Sequence, residues 1–229
     1  MTKINANVFC LKYMTLLFLL FINNLNSSIF AQSSTFLKSR NDSCIRNLSA
    51  GGTLIIRLKS EKKKLDYLAH QLELNAKNEK SRSKIQKIID KTKTERDQFN
   101  RSIIDAFKSD YSFSKLNFIY DSDIVEWKKS NYDTRYFIDA NLKNEKNISK
   151  PFYLILKNDN TPSGLEAFIF TDVEGSLMLS PFPTSIRVNN LRVAIWEIAK
   201  LENRLKKNAI RIANAAHIKL ANYESKYIN

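Results

Sequence analysis

With two histidines and two cysteines in 229 residues, the chain has little material for metal or thiol chemistry. Neither His70 nor His217 is followed by a second histidine or a cysteine three or four residues on. Glu73 follows His70 at helical spacing, but one imidazole and one carboxylate do not hold an ion. No metal and no cofactor is therefore expected. Both histidines fall in helical segments, and no Gly-x-Ser-x-Gly elbow occurs, which argues against a triad hydrolase. Glycine is equally scarce, four in the chain, and no two stand at the spacing that cradles a phosphate. Cys10 precedes an apolar run rather than following it, so it is not placed for lipid attachment. Cys44 then stands alone and cannot build a disulfide framework. It lies in a polar stretch near Arg40 and Arg46 and is read as incidental, the alternatives being a link between chains or a reactive thiol.

The apolar run at residues 14–22 (MTLLFLLFI) is too short for a membrane anchor, because nine residues at about 1.5 Å each fall well short of a bilayer core of about 30 Å. Lys3 and Lys12 precede it, and a polar stretch ending in Ile29-Phe30-Ala31-Gln32 follows. Residues 1–31 thus read as a secretory signal peptide cut between Ala31 and Gln32. The expected location is the periplasm or the cell exterior.

Acidic residues are in deficit. The chain carries 37 Lys and Arg against 23 Asp and Glu, and loss of Lys3 and Lys12 lowers the formal charge from +14 to +12. Residues 32–110 hold 18 basic and 10 acidic side chains, residues 111–186 hold 8 and 10, and residues 187–229 hold 9 and 3. Such flanks attract polyanions in a salt-screened manner, although Lys- and Asn-rich composition serving solubility is the simpler reading. No specific nucleic acid is expected. Aromatic stacking platforms need basic neighbours, and the aromatics here gather in the acidic central segment.

What is abundant is helical patterning. Leu54, Leu58, Leu65, Leu68, Leu72, then Ile85, Ile88, Ile89, then Phe99, Ile103 and Ala106 recur at three-and-four spacing, predicting amphipathic helix over 53–107. The stripe lapses between Glu73 and Lys84, where Asn78 suits a turn and Ser81 or Ser83 suits an N-cap. An antiparallel hairpin is favoured over a single rod that would need a partner chain. The middle reads as sheet, with runs at 116–120, 136–138, 152–156 and 165–171 and a turn at Asp172–Gly175 into 176–179. A brief helix through Ile124, Val125 and Trp127 is capped by Asp121 or Ser122. A second long stripe, from Leu191 through Ala194, Ile198, Leu201, Leu205, Ala209, Ile212, Ala216 and Leu220 to Tyr223, predicts one C-terminal helix capped at Asn189 or Asn190. The fold class is α+β: signal peptide 1–31, linker 32–52, helical hairpin or coiled coil 53–108, small central sheet 109–186 and long C-terminal helix 187–229. Carboxylates are the remaining acid–base material: Asp121, Asp123 and Glu126 follow the strand ending at Tyr120, and capping of the short helix explains Asp121 or Asp123.

The order of helix pair, Ile104-x-Ala106-Phe107, Tyr111-x-Phe113, Phe118-Ile119-Tyr120, hairpin and Pro181-Phe182-Pro183, with the Phe30-Ala31-Gln32 ending, resembles uncharacterised exported proteins of Bacteroidota-type bacteria, which carry no activity to transfer. Thr161-Pro162 followed by Phe168-Ile169-Phe170-x-Asp172-x-x-Gly175-Ser176-Leu177 is similar to the proline-then-hairpin segment of thioredoxin-like folds. That similarity implies a degenerate thioredoxin-like sheet without redox activity, since Cys-x-x-Cys is absent.

The function expected from all this is that of an exported, non-enzymatic interaction or structural protein. Its partner would be another protein or a second copy, met through the helices. Leu205 and Ile212, flanked by Lys206, Lys207 and Arg211, form the expected contact. The alternatives are a polyanion- or envelope-surface-binding protein using its basic helices, or an enzyme of unrecognised type.

Overall fold

The computed structural model describes residues 38–138, 142, 152–161, 163–178, 180–188 and 203–228. The expected signal peptide with its Ala31/Gln32 cut, and Leu191, Ala194, Ile198 and Leu201 of the C-terminal stripe, lie outside the described residues. A helix α1 (residues 38–49) comes first, where a linker was expected. It carries Cys44, Ile45 and Leu48 into the core at 6, 0 and 0 % exposure. Gly52 lets the chain turn sharply out of it. A Cβ there would sit 2.6 Å from the Asn47 carbonyl oxygen, which accepts the Gly52 N–H at 3.0 Å.

Residues Thr53–Leu58, expected to open the first long helix, instead form the central strand β1. The physical reason is that TLIIRL is apolar or β-branched on both parities, as a strand covered on two faces requires, and a helix would expose half of it. The further strands are β2 (Lys115–Tyr120), β3 (Tyr153–Asn160), β4 (Glu166–Thr171) and β5 (Ser185–Arg187), in the order β2-β1-β3-β4-β5. β1 runs parallel to both neighbours, with Ile55 opposite Asn117 and Ile155; β3–β4 and β4–β5 are antiparallel. Among the described residues the segment after the Asp172–Gly175 turn folds back on the end of β4 through one bridge, Thr171 with Leu177, and the Met178 N–H donating to the Phe170 carbonyl at 3.1 Å, while β5 forms the longer ladder on that side of β4.

Between β1 and β2 the chain forms α2 (Lys62–Leu74) and α3 (Glu79–Asp110), joined by a turn at residues 75–78. They make the expected hairpin. Asn78 caps α3 through its side-chain oxygen, which accepts the Ser81 N–H at 3.0 Å, a role expected of Ser81 or Ser83. Leu68 and Ile89 are the buried contacts along the projecting part. The C-terminal half of α3 then lies on the sheet through Ile103, Ile104 and Phe107, beside α5 (Arg204–Tyr227). Ala209, Ala213 and Ala216 on α5 are small enough to let the two helices approach closely.

Strand parity sorts the sheet's side chains between two cores. Leu54, Ile56, Leu58, Phe118, Leu154, Leu156, Phe168 and Phe170 meet α1, α3 and α5. Ile55, Ile119, Tyr153 and Ile155 meet α4 (Ile124–Lys129) and the following turn, where Trp127 sits 5.9 Å from Phe137 and 5.3 Å from Tyr153 between ring centroids. The central aromatics thus pack as core. No helix among the described residues is long and apolar enough to cross a membrane.

Candidate functional site

β1 leads to β2 on one side of the sheet and β3 lies on its other side, so the chain diverges at the C-terminal ends of β1 and β3. Loops leaving adjacent parallel strands in opposite directions open a crevice, which is where open α/β sheets accept ligands. Here it is a cleft of about 730 Å³. Arg57 of β1, Lys59, and Lys62, Lys63 and Lys64 of α2 line it, against Glu61, Asp66 and Asp121.

Its central wall is the β1–α2 loop, residues 59–61, which three contacts fix. The buried Asn100 side chain of α3 accepts the Lys59 N–H at 3.1 Å through Oδ1 and donates from Nδ2 to the Lys59 carbonyl at 2.8 Å. Asp121 Oδ1 accepts the Ser60 N–H at 3.0 Å. Arg96 Nη1 donates to the Ser60 carbonyl at 3.3 Å and its Nε binds Asp97 at 2.7 Å. Glu61 then takes a left-handed conformation, φ 54°, and the helix starts.

The start of α2 is electrostatically one-sided. Its first turn holds three lysines and no acid, and the N-cap residue Glu61 makes no capping hydrogen bond with its side chain. The Lys62 N–H has a side-chain acceptor, Ser60 Oγ at 3.2 Å; those of Lys63 and Lys64 lie where a helix has no internal partner. The helix dipole adds positive potential at the same point. Asp66 neutralises part of it, 3.6 Å from Lys62. Deeper in, Arg57 Nε is buried without a hydrogen-bond partner among the described residues. Asp159 nearby is held below the usual carboxylate range, first by its hydrogen bond from Lys157 (2.7 Å) and more weakly by Arg57.

A second cleft, of about 370 Å³, lies on the other flank of the same loop. It is lined by Lys59, Lys64, Glu95, Phe99 and Leu205, with Lys59 Nζ 4.5 Å over the Phe99 ring.

The sequence candidates scatter. Asp121 supports the loop, Asp123 accepts from Ser122 Oγ at 2.8 Å, and Glu126 pairs with Lys129 at 2.8 Å. None of the three caps α4 with its side chain. His70 is exposed, and His217 Nδ1 accepts the Ser112 N–H at 3.4 Å beside the Tyr111 ring. Cys44 lies on helix α1 rather than in a polar stretch ahead of the first helix, and burial pushes its thiol up to about 12. On α5 the expected contact splits. Leu205, Lys206 and Lys207 are exposed, Ile212 is core at 1 % exposure, and Arg211 turns back to the Arg187 carbonyl at 3.2 Å. Among the described residues no group of three His, Cys, Asp or Glu side chains could hold a metal ion. Sequence reasoning missed Arg57, the lysine triplet and Asn100. Only the triplet carried a visible signal, as three consecutive cations. Compared with protein families, characterised proteins and solved structures, the chain matches none.

Proposed function

We propose that this chain is an exported, non-enzymatic binding protein that holds an anionic ligand bearing phosphoryl or sulfate groups in the cleft at the ends of β1 and β3. The observation that carries the reading is the first turn of α2. Three lysines placed against the positive end of a helix dipole, with no acidic residue in that turn, oppose helix formation by roughly 0.3–1 kcal/mol each. An anion that accepts the first-turn N–H groups of Lys63 and Lys64 and screens the ammonium groups reverses that sign. Arg57 supplies a guanidinium at the back of the cleft for a second oxygen. Export rests on the layout of residues 1–31 and is part of the proposal.

Calorimetric titration with inorganic tripolyphosphate tests the reading. Binding is expected to weaken steeply with added salt and to fall about tenfold or more in Lys62→Gln/Lys63→Gln. Equal affinity in the variant and the parent, or no heat at low salt, overturns it.

A further inference from the structure

Four of the large apolar side chains that stand exposed share one side of the α2–α3 hairpin. Tyr67 and Leu74 are 62 and 66 % exposed on α2, Ile88 is 47 % exposed on α3, and Leu205 is 38 % exposed on α5. The smaller cleft fixes their common side, because Lys64, Glu95 and Leu205 line it together. Tyr67 follows Lys64 by three residues and Leu74 follows Tyr67 by seven, so they continue the Lys64 face of α2. Ile88 precedes Glu95 by seven residues and continues the Glu95 face of α3 in the same way. An apolar strip therefore runs from Leu205 at the base of the hairpin past Tyr67 and Ile88 to Leu74 near its tip. Lys84 and Lys91 flank Ile88 one turn away on either side.

The charge of the hairpin selects what can cover this strip. Residues 62–95 carry ten Lys and Arg against five Asp and Glu, so a second copy meets like charge. A dry protein interface needs a contiguous apolar centre, whereas here single apolar side chains alternate with lysines. That alternation suits a charged lipid surface: a tyrosine ring sits among headgroups, aliphatic side chains enter the acyl boundary, and lysine stems lie along the surface with their ammonium groups at the phosphates. We propose that this side of the hairpin docks on an anionic lipid bilayer, lying on it without spanning it.

Lys63 and Lys64 precede Tyr67 by four and three residues and also line the anion cleft, but the apolar residues of the strip other than Leu205 line neither cleft, and one experiment separates the two sites. The purified protein is sedimented with phosphatidylcholine vesicles and with vesicles containing about 30 % phosphatidylglycerol, at about 0.1 M salt. Binding is expected to the anionic vesicles alone. The variant Tyr67→Ser/Leu74→Ser/Ile88→Ser leaves the charge unchanged and removes only exposed side chains, and its partition onto anionic vesicles is expected to fall about tenfold or more. Circular dichroism checks that it folds, and Ile88→Ser alone, expected to weaken binding in the same direction, stands in if it does not. Lys62→Gln/Lys63→Gln is expected to keep vesicle binding while losing tripolyphosphate. Absence of vesicle binding overturns the proposal, as does parental binding by the folded apolar variant. Loss of vesicle binding in the cleft variant alone also overturns it, because the contact is then made by the anion site.

Discussion

Asn100 offers the sharpest test of how the site is held. Its side chain is fully buried and satisfies both main-chain groups of Lys59, 41 positions earlier in sequence, so it positions the loop from which α2 and its lysines start. Asn100→Ala removes two hydrogen bonds of about 1 kcal/mol net each and leaves two partly buried backbone groups without partners. A loss of about 2–4 kcal/mol follows, or a fall in Tm of about 5–15 °C for a domain of this size. Asn100→Asp tests the geometry rather than the volume. An ionised carboxylate keeps an acceptor for the Lys59 N–H but sets its other oxygen against the Lys59 carbonyl, at a fully buried position. The cation one turn earlier on the same helix, Arg96, is already engaged by Asp97 and the Ser60 carbonyl. Burial and the facing carbonyl raise that carboxyl's pKa in the folded state above its unfolded value. Stability is therefore retained below the unfolded pKa, where a protonated oxygen donates to the carbonyl as the amide did, and is lost as pH rises through the folded value. Urea unfolding followed by circular dichroism across pH reads both variants, with tripolyphosphate affinity as the second readout. An Asn100→Asp protein as stable as the parent at neutral pH refutes the clamp, as does an Asn100→Ala change below about 0.5 kcal/mol.

Ile212→Ala is expected to cost about 2–5 kcal/mol and Leu205→Ala less than about 1 kcal/mol, since the first is 1 % and the second 38 % exposed; equal shifts in urea midpoint would contradict the packing of α5. Cys44 is expected to resist an aromatic disulfide reagent until the protein unfolds. Its folded thiol lies near 12 against an ordinary 9.0, so the stability it contributes is full below 9 and lost as pH rises from there toward 12. Intact-mass analysis of exported protein is expected to give a chain starting at Gln32, and a retained Met1 in the mature pool contradicts the signal assignment.

The legible part of this fold is the part governed by local periodicity. The lapse in the stripe between Glu73 and Lys84 marked the hairpin turn, because helical pairing tolerates no apolar gap except where the chain reverses. Residues 53–58 misled for the converse reason. Leu54 and Leu58 are four apart and extend the helical stripe in register, while the competing evidence, Ile55 and Ile56 burying opposite faces, has meaning only once a sheet exists to be buried in. Helix α1 was lost because Cys44, Ile45 and Leu48 make a single short apolar face among Asn, Ser and Arg.

The site was hidden more deeply, since each of its parts is ordinary alone. Lys62, Lys63 and Lys64 read as a solvated charge run unless the residue before them is known to begin a helix at a strand end. Asn100 reads as an unremarkable polar residue on a helix, and its partner is a main chain that no side-chain pattern announces. Arg57 looked like one cation among many in a stripe of leucines. The β2-β1-β3 order turns these into one arrangement, by placing the β1–α2 loop at the divergence of two connections and bringing the middle of α3 behind it. Charge at the mouth and an amide clamp behind then act together. A loop left free would let the start of α2 shift, whereas the clamp holds it at the mouth of the cleft that its three lysines line.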